Sequence, residues 1–444
     1  METLLTDGEQ RKNSRNRLLS PLGWSLLTLP IALHCVLVMC TTQTWTFNKL
    51  DILVSLIVLT YFAIGLTLAR FTMYVTRFFL ATYTAFITFA MCECILGFFY
   101  PYPMERTPHG PADVKNLVIA NTLPGINQGP SEVTINSRGV RGPETLLSNA
   151  DFRILCIGGS TTECWYVSDK KTWPALLQQK LEFATGKKII IDNAGVSGHF
   201  SRHHAFQIEN YKFTPEYDLI LILCGFNDSQ CFQRDNYTKR SERVPLEALT
   251  PDYANQAYYR RWASTRITRK LLYHYTSRIG ISQDGGGAWV EAERQKRQRK
   301  VSQGRIEPIP ANLPLALRRY EEDLALLIAA CRKQKTPVVF MTQPTIYQRN
   351  LPQHLEDLLW MATVSSADAL QISNLFNDSL IKIGSSEGVD VIDLGSSLPI
   401  GASLFYDDCH FNDAGCQAVA QIVHAHLIGN ATLAKLRKNQ TKDK

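Results

Sequence analysis

Beyond residue 150 the sequence has no Cys-x-x-Cys pair, and nowhere does it show an internal repeat or zinc-finger spacing. The missing cysteine pairs exclude the usual cysteine-bound zinc modules. The chain also lacks a general excess of one charge. Lys and Arg number eleven against three acidic residues in 260–300, a local +8, while the whole chain carries +7. Everything else is therefore close to neutral. A basic balance confined to one segment, without basic and aromatic residues arranged for bases and phosphates, predicts no nucleic-acid partner. Eleven cysteines are present, seven of them after residue 150. An odd number leaves at least one thiol there free or bound to another chain. No sequence feature sets an oligomeric state.

Apolar residues are plentiful in one place. Residues 22–40, 50–69 and 78–100 are three stretches near the ~20 residues that a spanning helix needs. No small-residue cleavage motif closes the first, which argues against a signal peptide. Arg11, Lys12, Arg15 and Arg17 precede the first stretch, Arg70 and Arg77 lie between the second and third, and the first loop has only Lys49. The positive-inside bias therefore predicts a cytoplasmic tail at 1–21, a membrane anchor of three helices at 22–100, and an extracytoplasmic remainder. Glu93 inside the third stretch is costly in lipid. It marks either a polar contact or an early helix end.

The rest of the chain reads as a linker and lead-in segment (101–150), a catalytic domain (151–430) and a polar tail (431–444). Short apolar runs at Phe152–Ile157, Ile189–Ile191, Leu219–Leu223, Val338–Met341 and Val389–Leu394 predict buried strands. Between and after them, helical stretches are expected at 172–181, 314–334, 352–383 and 413–428. The alternation predicts a parallel sheet covered by helices on both faces. Segment 229–313 interrupts it and is too long for an ordinary connection. It holds the basic run and Gly285-Gly286-Gly287. A lid, a surface arm or a partly disordered insertion is expected, solvated or lying against anionic headgroups or an acidic glycan.

In such sheets ligands sit beyond the carboxyl ends of the strands. After the first strand comes Gly158-Gly159-Ser160-Thr161-Thr162, a turn that can expose a hydroxyl. After the second comes Asn193-Ala194-Gly195-Val196-Ser197-Gly198, and after the third Gly225-Phe226-Asn227-Asp228. Near the C-terminus stands Asp407-Asp408-Cys409-His410. A carboxylate three residues before a histidine can hold one ring nitrogen while the other faces a serine as general base.

Each motif alone is weak, but their order is specific. Over roughly 150–428 the sequence resembles the SGNH (GDSL-like) hydrolase superfamily, whose four blocks carry Ser, Gly, Asn and Asp-x-x-His. The lead-in Asn136-Ser137-Arg138-Gly139-Val140-Arg141-Gly142 also resembles one found in membrane-linked bacterial members. The resemblance implies a three-layer α/β/α, flavodoxin-like domain and a serine esterase. Ser160 is then the nucleophile, His410 the base and Asp407 its orienting carboxylate. Ser160, Gly198 and Asn227 form the oxyanion hole. No organic cofactor and no metal is required. The expected substrate is a small-molecule, lipid or glycan ester such as an O-acetyl group. An O-acyltransferase and a non-catalytic membrane-bound binding or assembly protein are the alternatives. Gly159 departs from the Gly-Asp-Ser of many members, with Glu163 or Asp228 as conceivable replacement carboxylates.

Two other patterns compete. Gly384-Ser385-Ser386-Glu387-Gly388 matches the G-x-S-x-G elbow literally, but it is expected after a helix and before a strand, the reverse of what an elbow needs. His199, His203 and His204 have helix-face spacing in part, without a carboxylate or cysteine placed beside them for zinc. His424 and His426, two apart on a helix, diverge.

Overall fold

The computed structural model describes residues 73–99, 107–109, 115–120, 130–211, 216–233 and 287–429, and isolated positions at 60, 123, 125–126, 264–265, 267–268, 271 and 283–284. The expected tail 1–21, almost all of the first two apolar stretches, most of 234–286 and the tail 431–444 lie outside these. The chain divides into two compact units. One comprises residues 1–104 and 251–273, the other 105–250 and 274–444.

In the first unit, α1 (Met73–Phe99) carries the third apolar stretch. Arg77 stands before the stretch and Glu93 within it, and the charge-free run between them, 78–92, is shorter than the ~20 residues a span needs. Among the described residues no helix is long and apolar enough to cross a membrane. Glu93 is buried, and its carboxylate accepts the Ser264 backbone N–H at 3.2 Å. It thus marks a polar contact, to a residue of the long insertion.

The second unit holds two sheets. β1 (Lys115–Ala120) pairs antiparallel with β2 (Ser131–Ile135) and parallel with the two-residue β6 (Gln283–Asp284). The main sheet contains β3 (Phe152–Gly158), β4 (Ile189–Asn193), β5 (Leu219–Leu223), β7 (Val338–Met341) and β8 (Asp390–Ile392). Its order is β4-β3-β5-β7-β8, with every neighbouring pair parallel. That is the 2-1-3-4-5 order of flavodoxin-like sheets. Strands β4 and β5 are buried along their whole length, so the alternation of a half-exposed strand is absent and continuous Ile and Leu runs replace it. Each such side chain, fully buried, contributes about 1.5–3 kcal/mol.

The helices follow the strands: α2 (Ser160–Glu163), α3 (Trp173–Thr185), α4 (Ser201–Asn210), α5 (Phe226–Gln233), α6 (Gly287–Ser302), α7 (Leu313–Gln334), α8 (Gln353–Glu356), α9 (Ser366–Glu387), α10 (Leu394–Ser397) and α11 (Asp413–Gly429). Thr172 caps α3, accepting the Ala175 N–H, with Pro174 in the first turn where no donor is needed. Ser365 caps α9 in the same way.

Two expectations require correction. The stretch 352–383 is not one helix. It breaks after α8, and residues 357–365 run as a loop before α9. The cause lies far away: Asp408 accepts the backbone N–H groups of Trp360, Met361 and Ala362 at 2.8–3.1 Å, which a helix would have used internally. The basic insertion, where described, is exposed along most of one helix but docked through a few side chains. It contains the 16-residue α6, whose Arg294 and Arg297 are buried.

Candidate active site

The order reversal in the main sheet falls at β3, with β4 on one side and β5 on the other. A crevice forms beyond the carboxyl ends at such a point. The Gly158-Gly159-Ser160 turn emerges there, and Ser160 opens the four-residue α2.

The turn is gripped from several sides. Trp173 Nε1 donates to Thr161 O at 3.2 Å, and Thr161 Oγ1 to Gln343 Oε1 at 3.0 Å. Arg141 is buried; its guanidinium donates to the carbonyls of Glu163, Cys164 and Val167 and pairs with Asp169 Oδ1 at 3.0 Å. Arg138 pairs with Asp192 of β4 at 2.9 Å. The lead-in segment therefore fixes both the Ser160 turn and the neighbouring strand, and its two arginines are structural clamps.

Ser160 Oγ lies 2.6 Å from His410 Nε2. His410 Nδ1 lies 2.7 Å from Asp407 Oδ2. Asp407 Oδ1 accepts the backbone N–H groups of Cys409 (3.1 Å) and His410 (2.9 Å), so the Asp-x-x-His turn orients its own carboxylate. Burial alone would lower the His410 pKa and raise that of Asp407. The attraction and hydrogen bond between them outweigh it, so His410 is raised and Asp407 lowered. Tyr406 stacks on the His410 ring, centroids 5.5 Å apart.

Gly198 has φ +79°, a left-handed conformation, and a Cβ there would meet no atom within 4 Å. The conformation selects glycine, and the space beside it is open to a ligand. No acceptor among the described residues takes its N–H. Asn227 Nδ2 donates one hydrogen to His199 O at 2.8 Å, which leaves its second for the recess it shares with Ser160. A Cβ on Gly159 would stand 2.4 Å from that same Nδ2. Glycine in place of the more usual aspartate is thus what lets the Asn227 amide close on the turn.

The two conceivable replacement carboxylates have positions of their own. Glu163 Oε2 accepts the Ser197 N–H at 2.8 Å and bonds the Ser197 hydroxyl. Asp228 Oδ1 accepts the Ser201 N–H at 3.0 Å. They hold the loop on either side of Gly198. Burial raises Glu163 and pushes Asp228 up to about 7.

Of the three nearby histidines, His204 is buried and His199 and His203 are half-buried, and burial disfavours the charged form of all three. Burial drives His199 down to about 4 and His204 to about 3. His199 and His203 stack at 4.5 Å. Among the described residues, one group of three metal-type donors gathers within 4.8 Å: Asp407, Cys409 and His410. There His410 Nδ1 and Asp407 Oδ2 already bond each other, and burial raises the Cys409 thiol well above its usual range. The set suits proton transfer better than ligation. Gly384–Gly388 forms the end of α9, its Gly388 being the C-cap.

Sequence reasoning missed Trp360, Arg294 and Arg297. Trp360 Nε1 donates to Asp407 Oδ2 at 3.0 Å. Arg294 donates to Tyr406 O at 2.6 Å and Leu358 O at 3.2 Å. No local pattern signals these contacts.

A flavodoxin-ordered parallel sheet with serine, histidine and aspartate in hydrogen-bonded series beyond its strands has the architecture of an α/β/α acyl hydrolase. The model of the GDSL-like lipase/acylhydrolase family matches residues 156–418, and the chain belongs to that family. It is an ester-hydrolysing enzyme. Among solved structures the chain is similar to the acetyl xylan esterase AlAXEase (13% identity, 62% of this chain and 100% of that one, TM-score 0.34). It is also similar to Axe2, an acetylxylan esterase from Geobacillus stearothermophilus (14%, 65% and 98%, TM-score 0.36). A third is LAE5, an alpha/beta hydrolase from the metagenome of Lake Arreo, Spain (14%, 63% and 97%, TM-score 0.37). No curated protein matches the sequence.

Proposed function

We propose that the enzyme is a membrane-anchored serine esterase that works through an acyl-Ser160 intermediate. The series Ser160 Oγ, His410 Nε2, His410 Nδ1, Asp407 Oδ2, with its 2.6 and 2.7 Å links, carries this reading. His410 takes the serine proton as Oγ attacks the ester carbonyl. The carbonyl oxygen becomes an oxyanion, which the N–H groups of Ser160 and Gly198 and the Asn227 amide receive. His410 then protonates the leaving alcohol. Water, deprotonated by the same histidine, releases the acid and restores Ser160.

We take the substrate to be an ester such as an O-acetyl group on a glycan or a lipid ester. The hydropathy of 22–40 and 50–69 supports a membrane anchor, and the distribution of Lys and Arg about the three apolar stretches supports an extracytoplasmic catalytic unit.

Labelling with a fluorophosphonate probe tests the chemistry. Wild type is expected to label, and Ser160→Ala and His410→Ala to lose labelling while remaining folded. Labelling that survives Ser160→Ala would show that another nucleophile acts.

A further inference from the structure

We propose that Trp360 is a positioning residue for ester hydrolysis, its indole N–H fixing the Asp407 carboxylate that orients His410. This rests on the catalytic reading of Ser160, His410 and Asp407 given above.

Asp407 receives four donors. The two on Oδ1 are backbone N–H groups of its own turn, at 3.1 and 2.9 Å. Oδ2 receives His410 Nδ1 at 2.7 Å and Trp360 Nε1 at 3.0 Å. The histidine must be free to change protonation during the reaction. Trp360 is thus the donor on Oδ2 whose state never changes. It comes from 47 residues away, on the loop that breaks the expected long helix.

Much of the surrounding structure serves to hold that loop. Asp408 takes its three successive amides, Trp360, Met361 and Ala362. Arg294 takes the carbonyl of Leu358, and Arg297 those of Ala362 and Val364. The ring itself rests edge-to-face on Trp289, centroids 4.9 Å apart. An indole N–H held this firmly against a charged carboxylate makes a charge-assisted hydrogen bond. It draws negative charge from Oδ2, and so weakens the pull of Asp407 on the imidazolium proton.

Removing that donor has a defined sign. The carboxylate becomes more basic, the protonated histidine is favoured, and more alkaline solution is needed to free the base. Trp360→Phe keeps a ring and deletes the N–H. Its kcat/KM for p-nitrophenyl acetate is expected to fall about 10-fold, carried by kcat, and the acid limb of the pH profile to move to higher pH. Asp408, Cys164, Glu163 and Tyr406 also face the pair, and all are unchanged in the variant.

Because Trp360→Phe can also disturb packing, the companion experiment places 3-benzothienylalanine at position 360, exchanging N–H for sulfur within the same ring outline. A packing role alone predicts wild-type behaviour for this second protein. The proposal is overturned if its kcat/KM stays within twofold of wild type with an unmoved acid limb. Ser160→Ala is run alongside. If that variant still turns over ester, the catalytic reading fails; if it is inactive while the position-360 proteins behave as wild type, only the positioning role does.

Discussion

Asp407 and Asp408 are adjacent, chemically identical and both buried, yet they face opposite tasks. Asp407 bonds His410, whose positive form pulls its pKa below the usual range against the effect of burial. Asp408 bonds three loop amides and Tyr347 Oη at 2.9 Å, and burial together with the Asp407 charge raises it. A pH prediction follows for the histidine between them. As the proposed base, His410 acts only when neutral, and the Asp407 charge raises its pKa from the ordinary 6.5. Activity should therefore climb with pH through a limb above 6.5. Asp407→Asn removes the charge that raises it, so the remaining activity should show a limb displaced to lower pH and a kcat lower by several orders of magnitude. A kcat/KM profile on p-nitrophenyl acetate measures both, and a wild-type limb at or below 6.5 would contradict the assignment. At this scale the Asp-x-x-His pair was legible because both residues share one turn. Trp360 was not, because what brings it there is a carboxylate 48 residues further along.

The elements differ in how openly the sequence announces them. β3, β4, β5 and β7 are apolar runs bounded by turns, and they form where those runs stand. β8 is shorter than its run, because Asp393 caps α10 and Leu394 enters it. Helix α6 had no such signal. Its inward positions Val290, Arg294 and Arg297 recur at helical spacing, but two of the three are arginines, so the hydrophobic stripe that betrays a buried face is missing. Here cations substitute for apolar side chains by saturating carbonyls. Arg297 also meets Glu356 at 2.8 Å with both side chains largely shielded. Breaking such a pair leaves a buried charge unpaired. Arg297→Ala is expected to cost about 3 kcal/mol, which is roughly 5 °C in the Tm of the catalytic unit. Calorimetry on the full chain checks this; a shift below 1 °C would mean that the helix is held by other contacts.

For the whole molecule, the charge surplus of the sequence belongs to a segment with divided allegiance. Residues 251–273 group with the N-terminal unit, and α6 with the catalytic one. The proposed anchor makes a definite statement about placement. Alkaline extraction of membranes should leave the full chain in the pellet, and protease added from the extracytoplasmic side should cleave the catalytic unit in intact cells. Recovery in the soluble fraction, or protection from that protease, would contradict it. In the sequence the proposed anchor is legible as hydropathy alone. The sequence could not show that the Glu93 charge finds Ser264, since the two are 171 residues apart.

Ser160 and His410 are separated by 250 positions, and this distance has a consequence for biosynthesis. A ribosome delivers the serine turn, all five strands of the main sheet and the Gly198 loop before it delivers His410, the proposed base. Throughout that interval the growing polypeptide carries an ordinary alcohol, unable to attack an ester. On the proposed mechanism, chemistry begins only when the last part of the domain has left the exit tunnel and brought His410 against Ser160, so reactivity would itself report that translation of the domain is finished.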